Sequence, residues 1–277
     1  MLTQQSSAQQ PSPVHAHDSH LLSLQDVTIN LGKRTFGPFT LSIQAGERIA
    51  VLGPSGAGKS TLLKLLAREH TPASGQATFR NRNLKEWTLA ELSRHRAVLP
   101  QSHEVAFGLP VDLVIGLGRV ARAYDPDLKT IVRQAAELAC AGHLLNRRFD
   151  TLSGGEKARV QMARVFAQLW DIEQGLLLVD EPIAALDPGL QFNLMDAIYT
   201  FAAQRGHAIL AILHDINQAL QGFERLILIK NGAMSGDYPQ QNVTISLLES
   251  LYDVNLVSAV SDNGEVIVAP SKLQKRM

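Results

Sequence analysis

Nine consecutive residues, Gly53, Pro54, Ser55, Gly56, Ala57, Gly58, Lys59, Ser60 and Thr61, contain the eight-position pattern G-x-x-x-x-G-K-[ST], which ends at Ser60. Glycines at this spacing let backbone N–H groups curl around phosphate oxygens, where a Cβ would block the approach. Lys59 supplies a point charge for β- and γ-phosphates, and Ser60 offers a hydroxyl to Mg²⁺. A glycine-rich turn with an incidental lysine would share the composition but not the flanks. Before it, Ile49-Ala50-Val51-Leu52 is a short apolar run that predicts a buried strand; after it, Thr61 to Arg68 predicts a helix whose N-terminus faces the phosphates.

Two further apolar runs end in polar side chains. Leu176-Leu177-Leu178-Val179 stops at Asp180-Glu181, and Ala208 to Leu213 stops at His214-Asp215. Wholly apolar runs are the signature of buried parallel strands, whose C-terminal ends deliver side chains to the crevice where α/β folds bind ligands. Asp180 suits metal coordination, and Glu181 suits orienting and deprotonating an attacking water. A strand running into a polar turn would look the same as either run, and His214 alone reads as a structural histidine. Joined to the phosphate loop, the Asp-Glu pair predicts nucleoside triphosphate hydrolysis.

Leu152-Ser153-Gly154-Gly155-Glu156 opens another helix. Free N–H groups and the helix dipole make it a second anion site. Its S-x-x-E spacing is also a capping box. One triphosphate does not need two such sites in one chain, so Ser153, Gly154 and Gly155 are expected to reach the nucleotide of another copy.

The elements that must position these groups follow from the rest of the chain. With 277 residues there is room for one large α/β domain, or one with a subdomain. The formal net charge is zero, which leaves no overall electrostatic footprint for nucleic acid. Cys140, the single cysteine, excludes an internal disulfide and is expected to be a small buried hydrophobe. No apolar run approaches a membrane span of about 20 residues, and the polar start lacks the pattern of a signal peptide; the expectation is a cytoplasmic protein that meets a membrane only through a partner.

Residues 1–20, rich in Gln, Ser, Pro and His, are expected to be a disordered tail. Strands are predicted at Leu22–Ile29, Phe39–Ile43 and Gln76–Arg80, a helix at Leu89–Arg96, and a strand at Ala97–Pro100 ending in Gln101. Residues from about 103 to 150 read as a helical insertion, with Leu128 to Ala141 at helical spacing. Helices follow from Ser153 to Trp170 and from Leu190 to Phe201, then strands at Leu226–Ile229 and Gly264–Val268 around a helix near Ile245–Tyr252.

The order of phosphate loop, Gln101, Leu152-Ser153-Gly154-Gly155-Glu156, apolar-Asp180-Glu181 and His214 resembles the ATP-binding subunit of ABC transporters, over about residues 21–240. That resemblance implies an α/β P-loop core with a mixed sheet, an antiparallel β subdomain and a helical subdomain at about 103–150. Residues 241–277 would then be an extension packed on the domain. It implies ATP and Mg²⁺ as ligands, with Mg²⁺ at Ser60, Gln101 and Asp180. It implies catalytic roles for Glu181, His214 and Gln101, the signature Ser153-Gly154-Gly155 acting across a homodimer, and Ala185-Leu186-Asp187 as the D-loop. The implied partners are a second copy, an integral-membrane permease dimer and, indirectly, a periplasmic substrate-binding protein, at the cytoplasmic face of the bacterial inner membrane.

Two positions depart from the family. Leu31 stands where an aromatic residue commonly stacks on adenine, which leaves Phe36 as a substitute or weak stacking as the alternative. Ile183 stands where threonine or serine is common. Three segments, Ala97–Gln101, Val114–Arg119 and Arg159–Trp170, are similar to haem (hemin) importer ATPases, with siderophore-iron and vitamin B12 importer ATPases as near relatives. A P-loop kinase is disfavoured by the signature motif. A DNA-repair or translation-factor ATPase is disfavoured because neither a long coiled coil nor a second cassette is present.

Overall fold

The structure, a computed structural model, describes residues 20–100, 108–181, 187–262 and 264–273. The expected N-terminal tail up to residue 19, Gln101, and Ala185-Leu186 of the D-loop lie outside the described residues, as does Ile183.

The described residues open with a hairpin of β1 (Leu22–Leu31) and β2 (Arg34–Ile43), turning at Gly32-Lys33. Bulges between Leu24 and Ile29 break the alternation that would have marked the full strand lengths. Then come β3 (Arg48–Leu52), α1 (Lys59–Leu66), β4 (Ser74–Phe79), β5 (Arg82–Asn83), α2 (Leu89–Ser93) and β6 (Arg96–Leu99). The predicted helix to Arg96 stops at Ser93. The Gln168 side-chain amide donates to the carbonyls of Ser93 and Arg96, and the buried Arg96 guanidinium donates to Ala67 O at 2.5 Å, so tertiary bonds draw Arg96 into a strand.

The helical part holds α3 (Val111–Gly116) and α4 (Leu128–Leu138), and both pack on α5 (Gly154–Leu169). Helix α4 ends three residues before the predicted end. Cys140 takes φ +52°, its N–H bonding Glu137 O at 3.0 Å while Ala141 N–H reaches back to Ala136 O at 2.7 Å. This is a Schellman stop built without the usual glycine. It turns Cys140 outward, so the cysteine is exposed and the expectation of burial was wrong.

The remainder is β7 (Leu176–Asp180), α6 (Pro188–Arg205), β8 (Ala208–Ile212), α7 (Ile216–Gly222), β9 (Arg225–Lys230), β10 (Ala233–Pro239), α8 (Ile245–Tyr252), β11 (Val254–Val260) and β12 (Val266–Leu273). Six strands form one mixed sheet in the order β10-β9-β3-β8-β7-β6, parallel except for β10. A second, antiparallel sheet has the order β2-β1-β4-β5. Along β3, Ile49 and Val51 point into a core shared with the antiparallel sheet and α1. Ala50 and Leu52 point into the core that holds α5 and α6. β7 and β8 alternate in the same way, which is why these strands are apolar on both faces. The C-terminal segment joins the second core through Leu248, Leu251, Leu256 and Val268. Asn217 clasps the Val268 backbone with bonds of 3.0 and 2.7 Å.

Candidate active site

The phosphate loop leaves the C-terminal end of β3, between β8 and β9. Two of its glycines are required by geometry. A Cβ on Gly53 would lie 2.1 Å from Ile229 O, and Gly58, at φ +106°, would place one 2.9 Å from the Phe36 ring. Gly58 is the N-cap of α1, so the helix opens at Lys59 with its first amides at the loop. Ser55, Gly56 and Ser60 form the exposed crest. Pro54 and Ala57 close the turn beneath it, Ala57 N–H donating to Pro54 O at 3.2 Å. Thr61 is half-buried in the first turn of α1.

Lys59 is only 6% exposed, and its ammonium donates to Gly53 O at 2.6 Å and to Pro54 O at 3.1 Å. Burial lowers its pKa, while Glu181 and Asp180 oppose that shift. Asp180, at the end of β7, is 7% exposed. Burial raises its pKa, opposed first by a hydrogen bond from the Ser60 hydroxyl. Its Oδ1 is buried without a hydrogen-bond partner among the described residues. Glu181 sits at φ +51°, its N–H held by Ile212 O at 3.2 Å, and its Oε1 meets His214 Nε2. Three segments, the start of α1, the end of β7 and the end of β8, thus bring Lys59, Ser60, Asp180, Glu181 and His214 to one place.

The donor set fits Mg²⁺. No group of three or more His, Cys, Asp or Glu side chains that could hold a metal occurs among the described residues. A hard cation that keeps several waters needs only one carboxylate, a hydroxyl and phosphate oxygens. Asp180 Oδ1 and the Ser60 hydroxyl supply the first two.

Ser153 is built apart from this cluster. Its Oγ accepts from Glu156 N at 3.3 Å, and its N–H donates to Glu156 Oε2 at 2.8 Å, so the capping box is formed. Arg147 holds the other Glu156 oxygen at 2.9 Å. A Cβ on Gly154 would meet open space, which leaves the helix start accessible. Asp187 caps α6 by accepting from Leu190 N at 3.1 Å.

Phe36 is not an open stacking surface. It is buried against Gly58 and Gly232, and the Arg34 guanidinium lies 5.1 Å over its ring. Leu31 is partly exposed on β1. Sequence reasoning also missed the β9–β10 turn. There Gly232 N–H donates to Ala57 O at 2.9 Å and Gly232 O accepts from Gly37 N at 2.7 Å, bracing the phosphate loop from behind. The signal was the Asn231-Gly232 pair, a strong hairpin dipeptide.

A cavity of about 720 Å³ lies away from the loop, in the helical part. Leu113, Leu117, Val120 and Tyr124 line it and are exposed. Beneath it the buried Arg119 pairs with Asp125 and, at 3.2 Å, with Asp171 at the end of α5.

Residues 36–184 match the ABC transporter family. The chain is 42% identical over 215 residues to the "Hemin import ATP-binding protein HmuV" of Pseudomonas aeruginosa, covering 76% of this chain and 84% of that protein. It is 38% identical over 244 residues to the protein of the same name from Methylobacillus flagellatus, covering 86% and 91%. The fold superposes with a TM-score of 0.71 and 23% identity on a dimeric ATP-binding cassette solved in a post-hydrolysis state with ADP and Pi, covering 80% of this chain and all of that one.

Proposed function

Because this chain belongs to the ABC transporter family and is an ATPase of that family, we propose that it energises the import of haem (hemin) across a bacterial inner membrane. The cargo rests on the relatives' names, since an ATPase subunit has no residues for the cargo itself. For the chemistry, the carrying observation is the convergence of Lys59, Ser60, Asp180, Glu181 and His214 at the C-terminal ends of the interior strands β3, β7 and β8.

In this reading the loop from Gly53 to Thr61 holds the phosphates through backbone N–H groups, and Lys59 turns from its own carbonyls to the β- and γ-phosphates. Ser60, Asp180 and Gln101 hold Mg²⁺, which when bound neutralises charge on the phosphates. Glu181 takes a proton from water as the water oxygen bonds to the γ-phosphorus. The bond from that phosphorus to the ADP oxygen breaks, giving ADP and Pi. His214 must leave Glu181 to meet the γ-phosphate. Ser153, Gly154, Gly155 and Asp187 act on the nucleotide of a second copy, as the dimeric cassette among the similar folds supports. A permease dimer sits on the helical part, served by a periplasmic substrate-binding protein, and holds the ATPase at the cytoplasmic face. Among the described residues no helix is long and apolar enough to cross a membrane.

Cells lacking this protein are expected to lose growth on haem as iron source while still using inorganic iron. Intact growth on haem with lost growth on a ferric siderophore would move the cargo to the siderophore branch; loss of vitamin B12 uptake would move it to that one.

A further inference from the structure

A nucleoside triphosphate held by its phosphates must still lay its base on some surface, and the sheet order gives the direction. The phosphate loop leaves β3. The groups read above as serving the γ-phosphate end, Asp180, Glu181 and His214, lie at or just past the ends of β7 and β8, on one side of β3. β9 flanks β3 on the other side. Its turn into β10 joins the loop to β2, because Gly232 bonds both Ala57 O and Gly37 N. With the γ-phosphate on the first side, the base end points to the second, toward the β1–β2 hairpin.

One face of that hairpin is built for a flat ligand. Past its bulges the register is regular: Ile29 stands opposite Phe36, and Leu31 opposite Arg34. Strand alternation puts all four side chains on the same face. Ile29 and Phe36 are buried, Phe36 against Gly58 at the start of α1. Leu31 and Arg34 lie one pair further out, beyond the core, and both reach solvent. The Arg34 guanidinium sits over the Phe36 ring, 5.1 Å from its centroid. Among the described residues no carboxylate pairs with it. A guanidinium is planar and delocalised, so with Phe36 beneath it a second flat group can stack on its solvent side.

We infer that Arg34 is the base platform of the nucleotide site. The nucleobase stacks on its guanidinium, with the Leu31 side chain at the base's edge. Phe36 supports the guanidinium from below, and Gly58, having no side chain, lets Phe36 sit close to the loop. The platform is therefore a cation on a buried ring, and the ring itself does not touch the base. Stacking on a plane is indifferent to which base lies on it, so Arg34 holds GTP as it holds ATP. This rests on the phosphate-loop reading above.

The test is titration calorimetry of the full chain in EDTA with three ligands: ATP, GTP and inorganic tripolyphosphate, which has no base. Arg34→Ala should raise Kd for ATP and for GTP about three- to tenfold and leave tripolyphosphate within about twofold. Unchanged ATP affinity overturns the proposal. Equal weakening of ATP and tripolyphosphate also overturns it, since Arg34 would then act on the phosphates or on the fold of the loop. A loss confined to ATP overturns stacking in favour of contacts to the adenine edge. Arg34→Lys keeps the charge and the stem but removes the plane. It should bind ATP as weakly as Arg34→Ala, and wild-type affinity there would reject the stacked guanidinium. Lys59→Ala keeps the failures apart: normal tripolyphosphate binding by that variant would reject the phosphate-loop reading itself.

Discussion

Lys59 Nζ lies 2.6 Å from the carbonyl oxygen of Gly53, six residues earlier in the same loop. The buried ammonium is thus satisfied by neutral carbonyls that a triphosphate can displace. Lys59→Ala removes the principal cation. ATP hydrolysis should fall by about 10²-fold or more and nucleotide binding should weaken. Turnover assays and equilibrium dialysis with ATP check both, and normal turnover would be fatal to the assignment.

Glu181 and His214 are bonded across 33 residues of sequence. Glu181→Gln keeps the size and the hydrogen-bonding capacity but removes the base. Hydrolysis should slow by about 10²- to 10⁴-fold, the range for a general base. ATP should then stay bound and hold two copies head to tail. Sedimentation of this variant should show a dimer with saturating ATP and a largely monomeric protein without it. A species that stays monomeric at high concentration with ATP would remove the shared-site mechanism.

Asp180 is a carboxyl whose burial raises its pKa above the ordinary 3.8. Above pH 3.8 the unfolded chain releases this proton more readily than the folded one, so stability falls as pH rises from 3.8 to the folded value and stays reduced above it. Asp180→Asn removes that cost. Its Tm at pH 7 without nucleotide should exceed wild type by about 2–4 °C, corresponding to about 1 kcal/mol in a chain this size. The gain should vanish below pH 3.8, where both states are protonated. With Mg²⁺ and ATP the order should reverse, because wild type alone gains the metal's binding energy. Calorimetry across pH, with and without Mg·ATP, reads all three.

The exposed Val120 stands over the cavity whose base holds the Arg119–Asp171 pair. If a permease seats there, Val120→Asp should leave ATPase activity of the isolated chain within about twofold, since exposed substitutions rarely disturb the fold. Transport in membrane vesicles should fall at least tenfold. Intact transport would separate this surface from coupling.

How much was legible follows the range of each interaction. The phosphate loop, the capping box at Ser153 and the apolar strands before Glu181 and His214 could be read because consecutive residues make them. A turn needs its own glycines, a cap binds an amide three residues on, and a strand buried on both faces is apolar throughout. The end of α4 was not legible, because its left-handed stop falls on a cysteine and not on a glycine. Nor was the end of α2, set by Gln168.

The sequence by itself therefore determined which groups this protein brings to a phosphate, because those groups act through local backbone geometry. Only the tertiary structure decided their neighbours: Glu181 on His214, Phe36 sealed behind Gly58 and Gly232 on Ala57. These contacts join strands and helices far apart in the chain. They depend on which strands become neighbours in the sheet, a choice made by the whole core and written in no single segment.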